Sequence, residues 1–139
     1  MTDALVGRWK CVEVENFDDF LKILGVGFIA RKVGASLKPT VTISYNKSDN
    51  KWQIDSESSA KNTSISFEIG KEFEEESPDG SKKIKSLATI EGNKMVQTQT
   101  EGGKIFCVVT REVNEKNEQV VLFKADQVVA KRVFKRDKE

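Results

Sequence analysis

Apolar and polar side chains alternate along most of this chain with the two-residue period typical of half-buried β-strands. Clusters of Gly, Asn, Asp, Ser and Pro interrupt the alternation and predict turns. The early strands are predicted at Val6–Glu15, Thr40–Asn46, Lys51–Asp55, Ser64–Glu68 and Glu72–Glu76. Turns at Pro78–Gly80, Glu91–Asn93, Glu101–Gly103, Asn114–Asn117 and Ala125–Asp126 separate the later strands. This regular spacing indicates an all-β sandwich or barrel of about ten strands.

One region near the start has the spacing of helices instead. Its apolar stripe consists of Phe17, Phe20, Leu21 and Leu24. Asn16 stands before the stripe at the position of an N-cap. A second short helix is expected from Gly27 or Phe28 to Leu37, and Pro39 ends it because the residue before a proline is pushed out of helical geometry. The helical spacing of this second segment is carried by Phe28, Ile29, Lys32, Val33 and Leu37.

About ten strands in one small protein raise the problem of open sheet edges, which expose unpaired backbone groups. Consecutive hairpins around a closed barrel remove those edges. The preferred architecture is therefore a closed up-and-down antiparallel barrel, with the helix pair inserted after the first strand. No repeat, low-complexity segment or linker interrupts the sequence, so residues 1–139 are expected to form a single domain.

Composition and charge narrow the chemistry. Lys and Arg number 23 against 22 Asp and Glu, so the net charge of +1 gives no bulk attraction to nucleic acid. The lack of histidine removes His-based catalysis and most zinc sites, and neither a metal nor another cofactor is expected. Cys11 and Cys107 are interpreted as small buried hydrophobes rather than a disulfide. No apolar run approaches the ~20 residues of a membrane span and the start lacks a secretory signal, so a cytosolic protein is expected.

The phases of two later strands point to internal cations. Arg132 shares the face of the last strand that carries Ala130 and Phe134, whereas the opposite face carries two lysines and is assigned to solvent. Arg111 shares one phase of an earlier strand with Cys107, although the other phase of that strand is also apolar. Neither phase supplies an acidic residue, and a guanidinium keeps its proton at neutral pH, so water or an anion has to surround it. A wet, largely apolar cavity with one cationic spot would suit a carboxylate. The alternative is that the arginines extend along apolar stems to the surface.

The acidic run at Glu72–Glu76 has Phe73 as its only apolar member. It is interpreted as a strand whose side chains lie in solvent.

A series of short motifs spans nearly the whole chain, from about Leu5 to Arg136. They are Gly7-x-Trp9-Lys10, Asn16-Phe17-Asp18, Leu24-Gly25-Val26-Gly27, Arg31-Lys32, Lys38-Pro39, Lys61-Asn62-Thr63, Phe67-x-x-Gly70-x-Glu72-Phe73-Glu74-Glu75, Lys85-Ser86, Arg111-Glu112 and Val129-Ala130-Lys131-Arg132-Val133-Phe134. Each motif alone is weak, but in this order and spacing they resemble the intracellular lipid-binding proteins, which include the fatty-acid-binding and cellular retinoid-binding proteins. The resemblance implies a lipocalin-like barrel of the calycin type, with ten antiparallel strands and a helix–turn–helix lid between the first two.

The resemblance also implies where a ligand would lie. The family holds it inside the barrel, with its carboxylate near arginines of the eighth and tenth strands and a tyrosine hydroxyl two residues beyond the latter. Arg111 and Arg132 match the arginines, but Phe134 replaces the tyrosine, so the arginines and water would have to bind the carboxylate. Ala60 stands where the family often has a portal phenylalanine. The other cavity and portal residues implied by the resemblance are Phe17, Leu21, Leu24, Val26, Ala30, Ser58, Lys61, Pro78, Asp79, Val109, Val121 and Phe123.

The leading hypothesis is a non-enzymatic carrier that delivers a long-chain fatty acid or related lipid to membranes, enzymes or a nuclear receptor. A retinoid carrier is the alternative within the binding class, and a lipid-modifying enzyme assisted by Lys61 or Asp79 is a third hypothesis. The basic residues Lys22, Arg31 and Lys32 of the lid are interpreted either as solvated cations or as a patch for transient contact with anionic membranes or for nuclear import. The carrier is expected to be a monomer in the cytosol, with the nucleus as an open alternative.

Overall fold

Ten antiparallel strands surround one interior in the computed structural model of this chain, which describes residues 2–77 and 82–137. They are β1 (Gly7–Glu15), β2 (Thr40–Asn46), β3 (Lys51–Glu57), β4 (Asn62–Phe67), β5 (Phe73–Glu76), β6 (Lys83–Glu91), β7 (Lys94–Glu101), β8 (Lys104–Val113), β9 (Glu118–Ala125) and β10 (Val128–Arg136). The helices α1 (Phe17–Ile23) and α2 (Phe28–Ser36) connect β1 to β2, and a 3-10 turn (Thr2–Leu5) precedes β1. The prediction of an all-β barrel with a helical lid between its first two strands is confirmed.

The sheet order shows how far the barrel closes. Consecutive strands pair with each other, and β1 pairs with β10, which gives the order β4-β3-β2-β1-β10-β9-β8-β7-β6-β5. Within the described residues β4 and β5 form no ladder with each other, so the barrel is nearly closed rather than fully closed as expected. The two edges at this opening are short: β4 has six residues and β5 has four. Short edge strands limit unwanted pairing with other chains.

One end of the barrel is closed by the N-terminal turn beneath Trp9. This tryptophan is fully buried, and its indole Nε1 donates to a backbone carbonyl of the turn at 2.8 Å. The guanidinium of Arg136 lies 3.9 Å from the Trp9 ring centre and donates to the carbonyl oxygens of Ala4 and Val6, both at 2.7 Å. Gly7 has a φ of +139°, and a Cβ there would lie 2.5 Å from Nη1 of Arg136. A side chain at position 7 would therefore strain the backbone and collide with the guanidinium of Arg136, which explains why glycine occupies this position.

The first helix packs as its apolar stripe predicts. Phe17, Phe20 and Leu21 of α1 are buried. The rings of Phe17 and Phe20 meet that of Phe123 from β9, with centroid distances of 5.1 and 5.5 Å. Asn16 does not cap the helix with its side chain as expected, because that side chain donates to a backbone carbonyl of β10 at 3.0 Å instead. This bond ties the start of the lid to the barrel.

The second helix carries its large apolar side chains outwards. Phe28, Ile29 and Val33 are 62%, 78% and 46% exposed. The helix is held to α1 by Arg31, whose Nε donates to Asp18 at 3.0 Å and whose Nη1 donates to a backbone carbonyl of the intervening loop at 3.2 Å. Its apolar spacing thus identified a helix but not a core face, because α2 lies over a cavity instead of a packed sheet. Among the described residues, no helix has the length and apolar character needed to cross a membrane.

Candidate ligand cavity

The barrel encloses a cavity of about 820 Å³, within the size range of small-molecule sites. Its wall is formed by inward-facing side chains of the strands, because side chains of one strand alternate between the two faces of the sheet. The inner sides of α1 and α2 cover it. Apolar residues of the wall include Val41, Ile54, Phe73, Val109, Phe123 and Phe134.

Most of the residues assigned to a site from the sequence surround this cavity. Those that line it are Phe17, Leu21, Val26, Ala30, Ser58, Lys61, Val109, Arg111, Phe123, Arg132 and Phe134. They come from both helices and the loop between them, the β3–β4 turn and the strands β8 to β10. The fold therefore brings together residues up to 117 positions apart in the sequence, from Phe17 to Phe134.

Three of the assigned residues do not belong to the cavity wall. Val121 is fully buried and is the register partner of both Arg111 and Arg132, but it is not among the residues that line the cavity. Leu24 follows the last turn of α1 and packs against the apolar core. Ala60 is exposed in the turn between β3 and β4. Pro78 and Asp79, the remaining members of the set, lie outside the described residues.

Arg132 is the more isolated of the two cations. Its guanidinium carbon lies 4.0 Å from the ring centre of Phe17 and 5.6 Å from that of Phe123. Its Nε atom is buried and has no hydrogen-bond partner among residues 2–77 and 82–137. Burial lowers the pKa of this guanidinium, because desolvation disfavours its charged form. The aromatic faces attract the cation, but they do not replace an anion.

Arg111 has one weak partner. Its Nη1 donates to Oε1 of Gln119 at 3.3 Å, whereas its buried Nε has no partner in the described part of the chain. Burial, followed by the like charge of Arg132, lowers the pKa of Arg111 to about 10, and the carboxylate of Glu75 acts in the opposite direction. Because this value lies well above neutral, Arg111 is charged at pH 7, and the guanidinium of Arg132 also keeps its proton there as arginine does in proteins. The interior therefore holds two repelling cations with unused donors.

Glu75 faces the cavity, although the acidic run that contains it was interpreted as solvated. Ser86, Gln97 and Gln99 all donate to its Oε2 atom, the last two at 2.5 and 3.0 Å. The strand phases that carry the two arginines supply no acidic residue, but Glu75 of β5 acts on the interior from another strand and raises the pKa of Arg111. Three side chains therefore hold this carboxylate in place by hydrogen bonds.

The sequence contained a signal for this assignment. Side chains of β5 alternate, with Phe73 and Glu75 half-buried and Glu74 and Glu76 exposed. The one apolar residue of the run, Phe73, marks the inward phase, and Glu75 is two positions further along that phase. The acidic composition of the run favours solvent, whereas the strand phase correctly places Glu75 inwards.

The two cysteines are buried and unbridged, as expected. Cys107 lines the cavity. Burial, with a smaller contribution from Glu75, raises the pKa of the Cys107 thiol to about 12, so this thiol is protonated at neutral pH. Among the described residues, no cluster of three or more His, Cys, Asp or Glu side chains is arranged to hold a metal ion.

Comparison with known protein families agrees with a barrel that encloses a ligand cavity. The model of the "Lipocalin / cytosolic fatty-acid binding protein family" matches residues 6–137. The chain belongs to this family. Its membership confirms the resemblance inferred from the order of the sequence motifs.

Individual relatives cover most of this family member. Human fatty acid-binding protein 9 is 40% identical over 137 residues, which are 98% of this chain and 99% of the relative. Fatty acid-binding protein homolog 5 of Caenorhabditis elegans is 47% identical over 97 residues, which are 70% of this chain and 69% of the relative. A Schistosoma mansoni fatty acid binding protein, solved in complex with arachidonic acid, is 32% identical with a TM-score of 0.89, and the match covers 99% of this chain and 98% of that one.

Proposed function

We propose that the protein is a non-enzymatic carrier that holds a long-chain fatty acid inside the barrel, with the carboxylate at Arg111 and Arg132. The observation that carries this proposal is the pair of buried guanidiniums with unpaired Nε atoms in a cavity whose wall combines apolar and polar side chains. A carboxylate accepts several hydrogen bonds from guanidinium groups. Burial of the acyl chain contributes about 0.8 kcal/mol for each CH₂ group. The ligand class named for the relatives agrees with this assignment.

The chemistry of the wall supports a carrier over an enzyme. The thiol of Cys107 is protonated at neutral pH, which makes it a poor nucleophile. Lys61, an assisting residue in the enzyme hypothesis, is exposed at the β3–β4 turn. We therefore expect the cavity to release its ligand chemically unaltered.

The experiment is a binding and recovery assay on delipidated protein. Hexadecanoic acid, retinoic acid and hexadecan-1-ol are titrated separately by calorimetry, and each ligand is then extracted and analysed by mass spectrometry. We expect hexadecanoic acid to bind more tightly than the alcohol of equal chain length and to be recovered unchanged. Tighter binding of retinoic acid would favour a retinoid carrier, and a covalently altered lipid would contradict the carrier assignment. Native mass spectrometry of protein from its own source would identify the physiological ligand.

We further propose that the lid delivers the ligand through brief contact with anionic membranes. Phe28 and Ile29 are exposed apolar groups on α2, and the exposed cations Lys22 and Lys32 lie on the same two-helix lid. Each basic residue contributes about 1 kcal/mol near an anionic surface, which suits transient contact. Arg31 contributes less to such a patch, because it is paired with Asp18. The carrier is proposed to act as a cytosolic monomer, with a nuclear receptor as a further acceptor.

Transfer of a fluorescent fatty acid to vesicles tests the delivery step. The transfer rate should rise with vesicle concentration and with the fraction of anionic lipid, and Lys22→Glu/Lys32→Glu should reduce that dependence. Lys94→Glu, a charge reversal in β7, serves as the control. A rate independent of vesicle concentration would instead indicate release into water before uptake.

A further inference from the structure

Glu75 presents one oxygen of its carboxylate to the cavity that it lines. The donors from Ser86, Gln97 and Gln99 all reach its Oε2 atom. Its other oxygen, Oε1, accepts no hydrogen bond from residues 2–77 and 82–137. Oε1 is nevertheless not among the buried atoms that lack a partner, so it is accessible. The interior therefore contains an acceptor that a ligand can reach.

The three donors hold this acceptor in one orientation. The Nε2 atoms of Gln97 and Gln99 on β7 lie 2.5 and 3.0 Å from Oε2, and the hydroxyl of Ser86 reaches it from β6. Both glutamines line the cavity, so this polar part of the wall comes from three adjacent strands. An acceptor that is already oriented loses little conformational freedom when a ligand binds, which favours binding.

The register of β7 and β8 separates this acceptor from the arginines. Met95 on β7 is the partner of Arg111, and Gln97 and Gln99 stand two and four residues further along the strand. At roughly 3.3 Å per residue, these positions lie about 7 and 13 Å from Met95. A lipid whose carboxylate lies at Arg111 can therefore place a later part of its chain, rather than its head group, beside Glu75.

The chemistry of Oε1 determines which chain suits this part of the wall. A methylene chain would displace water from Oε1 without supplying a hydrogen bond, which is unfavourable. A hydroxyl group can donate to the carboxylate, and such a bond is stronger than one between neutral groups. A keto group has acceptor atoms only and cannot replace the hydroxyl. A cationic donor is disfavoured by the two arginines in the same cavity.

We propose that Glu75 forms a second polar subsite, in which Oε1 accepts a hydrogen bond from a hydroxyl group on the chain of a fatty acid. This assignment rests on the proposed function, since the carboxylate of that ligand has to lie at the arginines. The protein then prefers hydroxylated long-chain fatty acids to unsubstituted acids and to oxo acids. The arginines bind the head group, and Glu75 selects the substituent and its position along the chain.

The first test keeps the protein unchanged and varies the ligand. Delipidated wild-type protein is titrated by calorimetry with octadecanoic acid and with matched hydroxy and oxo derivatives substituted along the middle of the chain. We expect at least one hydroxy acid to bind about tenfold or more tightly than the oxo acid substituted at the same carbon, and more tightly than octadecanoic acid. Equal affinities within every matched pair, tighter binding of the oxo acids, or tightest binding of octadecanoic acid would overturn the assignment.

The second test exchanges the acceptor for a donor. In Glu75→Gln the amide oxygen can accept the three existing hydrogen bonds, so the amide nitrogen faces the cavity and can donate to a keto group. The ratio of hydroxy-acid to oxo-acid affinity should therefore fall about tenfold or more. Glu72→Gln is the control, because it removes the same formal charge from an exposed carboxylate that lies 3.8 Å from Nζ of Lys85. The control should keep the wild-type ratio, and an unchanged ratio in Glu75→Gln would refute the subsite.

The outcomes separate this assignment from the carrier proposal. If the wild-type protein binds none of the acids, the carrier proposal fails and the assignment fails with it. If the wild type binds octadecanoic acid but does not prefer a hydroxy acid to its oxo counterpart, only the subsite at Glu75 is refuted. Thermal unfolding checks that each variant is folded, and the wild-type comparison decides alone if Glu75→Gln is not.

Discussion

Replacement of Arg132 by leucine removes a buried guanidinium that lies against the rings of Phe17 and Phe123. A hydrogen bond to a charged group contributes roughly 1.5–3 kcal/mol, and about 1.4 kcal/mol corresponds to a factor of ten. The variant should therefore bind hexadecanoic acid about 10- to 100-fold more weakly than the wild type. Its affinity for hexadecan-1-ol should change little, because leucine preserves the apolar wall and the alcohol carries no charge.

The same substitution is expected to leave the ligand-free barrel about as stable as the wild type. Replacement of a buried ion pair by apolar residues is often neutral or stabilising by about 1–4 kcal/mol, and removal of a buried charge without an ion partner is expected to act in the same direction. Loss of the contacts with the two aromatic rings opposes this gain by about 2 kcal/mol. Chemical denaturation measures the sum, so a weak-binding variant can be distinguished from an unfolded one.

Calorimetric titration of the acid and the alcohol decides the interpretation of Arg132→Leu. The control is Lys131→Leu, which removes the same formal charge from a neighbouring residue that contacts Glu13 and Glu15 instead of the cavity. Lys131→Leu should preserve the preference for the acid. Equal losses of acid and alcohol affinity in Arg132→Leu would refute the head-group role of Arg132, and the same loss of preference in both variants would assign the effect to net charge.

Three further substitutions test the fold and its lid. Gly7→Ala should destabilise the protein by about 1–3 kcal/mol in chemical denaturation, because of its positive φ and the close guanidinium, whereas Gly27→Ala, with no atom near its Cβ, should have little effect. Because the pKa of Cys107 is raised from 9.0 to about 12 in the fold, stability should fall as the pH rises from 9 towards 12, and Cys107→Ala should reduce that slope by up to about 1.4 kcal/mol per pH unit. An unchanged slope would contradict the burial of the thiol. Asp18→Asn should loosen the contact with Arg31 and speed ligand release in stopped-flow displacement, and identical rates would show that the pair does not hold the lid.

The barrel and the arginines could be predicted because both depend on local alternation. The strand period and the turn residues determined the number of strands, and the face shared with Ala130 identified Arg132 as internal. The inward position of Glu75 could have been predicted by the same reasoning, since Glu75 shares its phase with Phe73. The density of acidic residues around it suggested instead that its side chain lies in solvent. A charged residue in a strand is better assigned by phase than by the composition of its neighbours.

Other features could not be obtained from local pattern. Gln119 stands at the polar start of β9, and only the pairing of β9 with β8 and β10 shows that it lies beside the arginines. The outward position of Phe28 and Ile29 depends on what lies beneath α2, and a helical period does not distinguish a packed core from a cavity. Both features depend on long-range arrangement, for which a single sequence gives no direct signal.

The two guanidiniums differ in the polar groups around them, and this difference affects the preference for an acid over a neutral lipid. Arg111 has the amide oxygen of Gln119 and the field of Glu75, whereas the guanidinium of Arg132 lies against the aromatic faces of Phe17 and Phe123. An ionised head group therefore contributes most at Arg132, and it also reduces the repulsion between the two cations. A neutral lipid can fill the same apolar space, but it leaves this electrostatic cost in place. A preference for an acid over its ester or alcohol then requires no constraint on the shape of the acyl chain, so we expect the cavity to bind fatty acids of several lengths more tightly than their neutral derivatives.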